Sequence, residues 1–268
     1  MVYARIKELI AAQPLPADGR IANGGWYIGE YGDCDVVVTA GSKATLVVAD
    51  DEGSADINID VEHGAELRIL HLVTCHSAMN ISVAVAADAV CKMTQVIVSS
   101  SDTRVVASLV ERGAEFELGG VFLLSNEDKA SVTADVNHMA SDCRSNTKVK
   151  GVATGKAHGS FAGLVYVAPD AQRTDSVQSS RNITVGEARI ETMPQLEIYA
   201  DDVKCSHGAT VGQMNDDAIL YMRQRGLSLA DAKRLQIEGF VDDVVLHSVV
   251  EGSEAILAEL LADKLTKL

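Results

Sequence analysis

The chain has 268 residues, 47% of them hydrophobic but only 4% aromatic, and a formal net charge of −15. That length suits one large domain, or one with an appendage, burying roughly three quarters of its unfolded surface without disulfide support. The excess of carboxylates and the scarcity of Lys/Arg clusters argue against nucleic acid as a partner, because phosphate neutralisation needs concentrated positive charge. Five cysteines, Cys34, Cys75, Cys91, Cys143 and Cys205, are scattered and form no C-x-x-C pair, which argues against an internal zinc site or redox pair. The N-terminus has no signal-like apolar core, and no run approaches the length of a membrane span. The expected setting is cytoplasmic with no membrane partner, and the sequons at Asn80 and Asn182 have no secretory context.

In chain order, residues 1–13 predict a short helix with Ile6, Leu9 and Ile10 on one face, ended by Pro14 and Pro16. Gly19, Asn23, Gly24 and Gly25 make a loop into Trp26. From there short Val- and Ile-rich strands follow one another: 35–39, 44–49, 57–62, 67–73, 81–85, 93–98, 105–110, 116–124 and 132–136. Turn points at Gly41, Gly64, Asp88 and Gly113 recur at steps of 23, 24 and 25 residues (64−41, 88−64, 113−88). A repeat of that length built only of strands and turns indicates a solenoid. The missing L-x-x-L-x-L signature favours a β-helix over a leucine-rich horseshoe, and a β-sandwich stands as the rival. Val149–Val152 and Phe161–Val167 read as later coils, and the polar stretch 170–181 reads as a loop.

Residues 194–212, P-Q-L-E-I-Y-A-D-D-V-K-C-S-H-G-A-T-V-G, begin as a strand and place Cys205 and His207 two positions apart. In extended chain that spacing puts a thiol and an imidazole on one face. Together they can hold iron, zinc or sulfur if a second chain supplies further ligands. After Gly212 the period changes to 3.6. Asn215 caps a helix over 216–225 ended by Gly226, Ser228 and Asp231 form a capping-box-like start to a second, and Ser253 starts a third. These helices read as an appendage closing the end of the solenoid. The expected division is 1–25 (helix and loop), 26–212 (solenoid) and 213–268 (helical domain).

The runs Y-A-D-D-V-K-C-S-H-G-A-T-V-G (199–212) and D-D-A-I-L-Y-M-R-Q-R-G (216–226) resemble the SufB/SufD family of iron–sulfur cluster assembly scaffolds, on its SufD side. The likeness is strong over about 194–245 and rests on repeat character over 25–193. Residues 1–25 carry no likeness to the large N-terminal helical region usual in that family. The resemblance implies a mainly β fold, a right-handed parallel β-helix with a C-terminal helical cap. It implies a non-enzymatic scaffold that pairs with a SufB-like chain or a second copy of itself, and whose helical region docks the ABC-type ATPase SufC. A transient iron–sulfur cluster would form at the subunit interface from iron and a sulfur donor protein, with ATP entering only through the ATPase. It implies a role for His207 at that interface and, less directly, for Cys205. SufB members carry a further cysteine upstream, whereas here 170–186 has Ser176, Ser179 and Ser180 but no Cys, so a four-thiolate site needs a partner chain.

The other candidates read as structural. Cys34, Cys75, Cys91 and Cys143 fall among strands or beside turns. His63, His71, His76, His138 and His158 are scattered, although His71, Cys75 and His76 are close enough in sequence to form a site. Gly151–Ala157 fails the phosphate-loop pattern at Lys150 and Ala157, so nucleotide hydrolysis belongs to another polypeptide. Adjacent Asp201 and Asp202 would point to opposite faces and share no acid–base task. A purely structural adaptor for the ATPase is the alternative function. A β-helix enzyme acting on polysaccharide would want aromatic platforms, and the chain has one tryptophan.

Overall fold

The computed structural model describes residues 2–28, 32–50 and 53–266. Two all-parallel sheets face one another, and the chain alternates between them strand by strand. One sheet holds, in spatial order, β1 (Gln13–Pro14), β3 (Gly24–Ile28), β5 (Lys43–Asp50), β7 (Glu66–Val73), β9 (Val90–Ile97), β11 (Glu115–Leu124), β13 (Arg144–Ala153), β15 (Thr174–Thr184) and β17 (Val203–Gly212). The other holds β2 (Arg20–Ile21), β4 (Cys34–Val38), β6 (Gly53–Val61), β8 (Ser77–Val85), β10 (Ser101–Leu109), β12 (Lys129–His138), β14 (His158–Val167) and β16 (Arg189–Ile198). This is a parallel β-helix of two strands per coil, and the sandwich alternative is set aside by the wholly parallel pairing.

The turn points read from the sequence are the corner of the helix. Gly41, Gly64, Asp88 and Gly113 have φ of 68°, 64°, 52° and 76°, and the series continues through Asp142 (62°) and Arg173 (58°). Each of these N–H groups donates to a carbonyl of the next coil, at 2.5–3.3 Å. A left-handed residue therefore recurs at this corner in successive turns of the solenoid, and glycine or aspartate meets that need at little steric cost. Coil length is 23 residues between the register partners Ala44 and Leu67 and 31 between Ser145 and Ser176.

Inward side chains alternate with outward ones, and a continuous apolar core runs between the sheets from Ile21 to Ile190. The nine strands read from the sequence are all present, extended by one to four residues at several ends. Two departures stand out. Residues 170–181, expected as a loop, contain most of β15, whose inward residues Thr174, Ser176, Gln178, Ser180 and Asn182 are polar and buried. The expected loop before residue 26 holds β1, β2 and the start of β3.

The helices α1 (Val2–Leu9), α3 (Leu229–Val245) and α4 (Glu254–Leu265) pack along the outer flank of the larger sheet rather than over the end of the rod. Outward Val47, Leu70, Leu72, Val96, Val121, Leu123 and Val152 meet Ile6, Val241, Val244, Leu257 and Leu261 there in a second core. This explains the unbroken runs of buried residues in β7, β9 and β11, which are covered on both faces. Two lysines tie helices to coils: buried Lys150 pairs with Asp243 and donates to the Phe240 carbonyl, and half-buried Lys264 pairs with Asp128 at 2.6 Å. Helix α2 (Asp216–Gln224) is capped by Asn215, whose Oδ1 accepts from Ala218 N at 3.0 Å, and α3 by Ser228, whose Oγ accepts from Asp231 N at 3.0 Å.

Inside the later coils Phe122, 1% exposed, occupies space that glycines leave open: a β-carbon on Gly151 or Gly159 would collide with its ring. Phe122→Ala is expected to destabilise the fold by about 3–5 kcal/mol in urea unfolding. Gly151→Ala should be destabilising alone and less so in the Phe122→Ala background, where only the Asn182 Oδ1 contact remains, a coupling that a double-mutant cycle reads directly.

Candidate functional site

Strands β16 and β17 end the two sheets at the same end of the rod, so each has a hydrogen-bonded neighbour on one side only. The segment 194–212 is thus not one strand. It finishes β16, turns at 199–202 and starts β17 in the opposite sheet. The turn is fixed to the preceding coil, since Asp202 N donates to Gln172 Oε1 at 2.9 Å and its carbonyl accepts from Arg173 N. Arg173, together with Arg112, also holds the Asp142 carboxyl well below the usual carboxylate range. Asp201 and Asp202 lie in this turn, so neither belongs to a strand face.

Cys205 and His207 share the inward face of β17, as the two-residue spacing requires. Cys205 is half-buried and packs beside the small third core of Val165, Val167, Ala168, Ala171 and Ala200; His207 is exposed. Burial and the neighbouring Asp175 carboxylate push the Cys205 thiol above its ordinary value, opposed by the Ser176 backbone N–H. Among the described residues, no three His, Cys, Asp or Glu side chains converge to hold a metal.

Beneath these two residues the interior is polar. Cys205 is the register partner of Ser176, and Ser176 of Ser145. The two serine hydroxyls lie 2.8 Å apart, and Ser145 Oγ lies 2.9 Å from Nε2 of the buried His138. His207 is the register partner of Gln178, whose amide is buried with neither end hydrogen-bonded. Sequence reading passed over Gln178 because its segment looked like a loop; the alternation of Thr174, Ser176, Gln178, Ser180 and Asn182 was the available signal.

The remaining candidates lie apart. Cys91 and Cys143 are buried, with burial pushing Cys91 up to about 12 and raising Cys143 as well; Cys34 and Cys75 are half-buried elsewhere in the rod. His71 is interior, its Nδ1 3.0 Å from Gln95 Nε2, whereas Cys75 and His76 lie in the turn after β7, His76 exposed. His63 and His158 are exposed. Among the described residues no helix is long and apolar enough to cross a membrane.

Residues 22–240 match the family model described as SUF system FeS cluster assembly, SufBD core domain, a span from β3's approach through β17 into α3. The chain belongs to the SufBD core family. Among curated relatives it is 42% identical over 127 residues to the iron–sulfur cluster assembly protein SufD of Escherichia coli, covering 47% of this chain and 30% of that protein. It is 45% identical over 86 residues to an iron–sulfur cluster assembly SufBD family protein of Synechocystis sp., covering 32% of this chain and 19% of that one. A Mycobacterium leprae family protein is 26% identical over 261 residues, 88% of this chain and 65% of its own length. The matches span less than two thirds of each of these relatives. Within the SufBD family the chain is SufD-like, as its 199–226 motif suggested.

The buried His138 at the foot of the serine column gives a measurable signature. Burial lowers its ring to about 4 from an ordinary 6.5, so the folded protein holds it neutral where the unfolded chain would protonate it. Stability from this group is complete above pH 6.5 and is lost as pH falls towards 4, by on the order of 3 kcal/mol. Urea unfolding of wild type and His138→Gln between pH 7 and 4.5 should show the variant losing much less.

Proposed function

We infer that this chain is a SufD-like scaffold subunit on which an iron–sulfur cluster is assembled at a subunit interface. The observation that carries this reading is the placement of Cys205 and His207 together on the last inward strand face, at the end of the rod where both sheets are open. A ten-residue edge strand offers unpaired backbone groups to an incoming strand. A second chain of the same family, SufB-like or an identical copy, adds its own terminal strands there and supplies the ligands that a thiolate and an imidazole leave wanting. Iron, with sulfur from a donor protein, is the cargo, and the chain itself hydrolyses nothing.

The ATPase side of the reading rests on the helices. Leu220 and Tyr221 of α2 are 54% and 55% exposed, and Leu229, Leu235 and Leu246 also face solvent. A hollow of about 680 Å³ lies between the corner loops after β13 and β15 and helices α3 and α4, lined by residues such as Val185, Met214, Ile237 and Leu265. An ABC-type ATPase of the SufC kind docks on this apolar surface, and its closure on ATP is transmitted along the flank to the strand end.

Anaerobic reconstitution with ferrous iron, a sulfur donor and the ATPase tests this. The Cys205→Ala/His207→Ala variant should keep its unfolding profile and ATPase binding while cluster absorbance falls roughly tenfold or more. Normal cluster yield from that variant would leave the chain as a structural adaptor. Size determination of the isolated chain separates the two kinds of partner, a stable homodimer favouring self-pairing.

A further inference from the structure

Gln178 sits at the middle of β15 on the inward face, 1% exposed, with both its amide nitrogen and its amide oxygen unpartnered. An apolar residue of similar size would avoid that desolvation cost entirely. The fold nevertheless makes room for the amide. On the facing strand β14, Gly163 stands where any β-carbon would collide with the Gln178 amide nitrogen. The amide thus lies against Gly163 with its oxygen and its nitrogen both open to a partner.

The residue stacked on Gln178 is His207. The same pairing occurs earlier in this sheet in reverse order, with His71 on β7 and Gln95 on β9 as register partners on the inward face. There Gln95 Nε2 reaches His71 Nδ1 at 3.0 Å. A glutamine and a histidine one strand apart in this sheet, about 4.8 Å, are therefore within hydrogen-bonding reach. The difference is position: His71 is sealed within the rod, whereas His207 is exposed on the edge strand and is free to turn.

We propose that Gln178 is the positioning residue for His207, its Oε1 accepting the N–H of one ring nitrogen while the other nitrogen binds metal. This rests on the reading of His207 as a ligand. A histidine that binds metal through one nitrogen carries its proton on the other, and an acceptor for that proton fixes both tautomer and ring orientation. Gln178 holds such an acceptor in reserve beneath the site, so the amide's missing bond is made when the ring swings in and a metal is taken up.

The test uses the full chain and cobalt(II) as the probe, with thermal unfolding recorded alongside. Gln178→Leu should weaken cobalt binding about 10–100-fold while its melting temperature stays level or rises. Gln178→Glu, which keeps an acceptor oxygen at the same reach, should bind close to wild type. In a His207→Ala background, Gln178→Leu should change nothing further. Wild-type affinity in Gln178→Leu overturns the proposal, as does an equal loss with and without His207. If His207→Ala abolishes cobalt binding but Gln178→Leu does not, only this inference falls. If His207→Ala leaves cobalt binding and cluster yield intact, the ligand reading fails and takes the inference with it.

Discussion

In-register stacking of one coil on the next is the constraint on which this molecule depends. In a parallel ladder each residue keeps the face of its partner, so an inward position remains inward along the whole rod. One such column runs Ala44, Leu67, Cys91, Phe116, Ser145, Ser176 and Cys205. Another runs Met93, Leu118, Thr147, Gln178 and His207. Both begin in hydrocarbon and end in polar groups. The chemistry of the last strand is thus prepared by the strands beneath it, and the columns reach solvent only where the stacking stops.

Where the stacking stops also matters for association. The helices cover the flank of the larger sheet and leave its final edge bare, although a solenoid ordinarily protects its ends. Two open edges at one end, each ten residues long, would promote uncontrolled pairing unless a specific partner occupies them. The outward side chains nearby include Met193 and Tyr199, 61% and 60% exposed, and Tyr199 stacks obliquely on Tyr166. The helices thus bury the apolar outer face of the larger sheet, while its last strand keeps one row of backbone groups unpaired.

Much of the fold was legible because its strands carry Val and Ile inward and its corners carry glycine. Legibility fails where those residue types change. After Gly113 the corner passes to Asp142 and Arg173, and the glycine repeat disappears although the left-handed backbone persists. Arg173 holds that unfavourable conformation with its guanidinium locked on Asp142. In the same coils β15 turns polar inward residues to the core, and hydrophobic alternation no longer marks it as a strand. The site divides likewise. Cys205 and His207 are placed on one face by local spacing alone, whereas Gln178, Ser176 and His138 join them only through coils of 29 and 31 residues, a register that sequence periodicity does not fix.

The polar interior of the last coils works against stability and is informative for that reason. A buried amide with neither end bonded, a buried neutral imidazole and a half-buried thiol beside a carboxylate each hold the fold below the stability an apolar core would give. The earlier coils show that this sequence can fill such positions with Leu, Met and Phe. Burial first, and the Asp175 carboxylate second, raise the Cys205 thiol above its ordinary value, a cost that the same face does not carry where Leu, Met and Phe fill it.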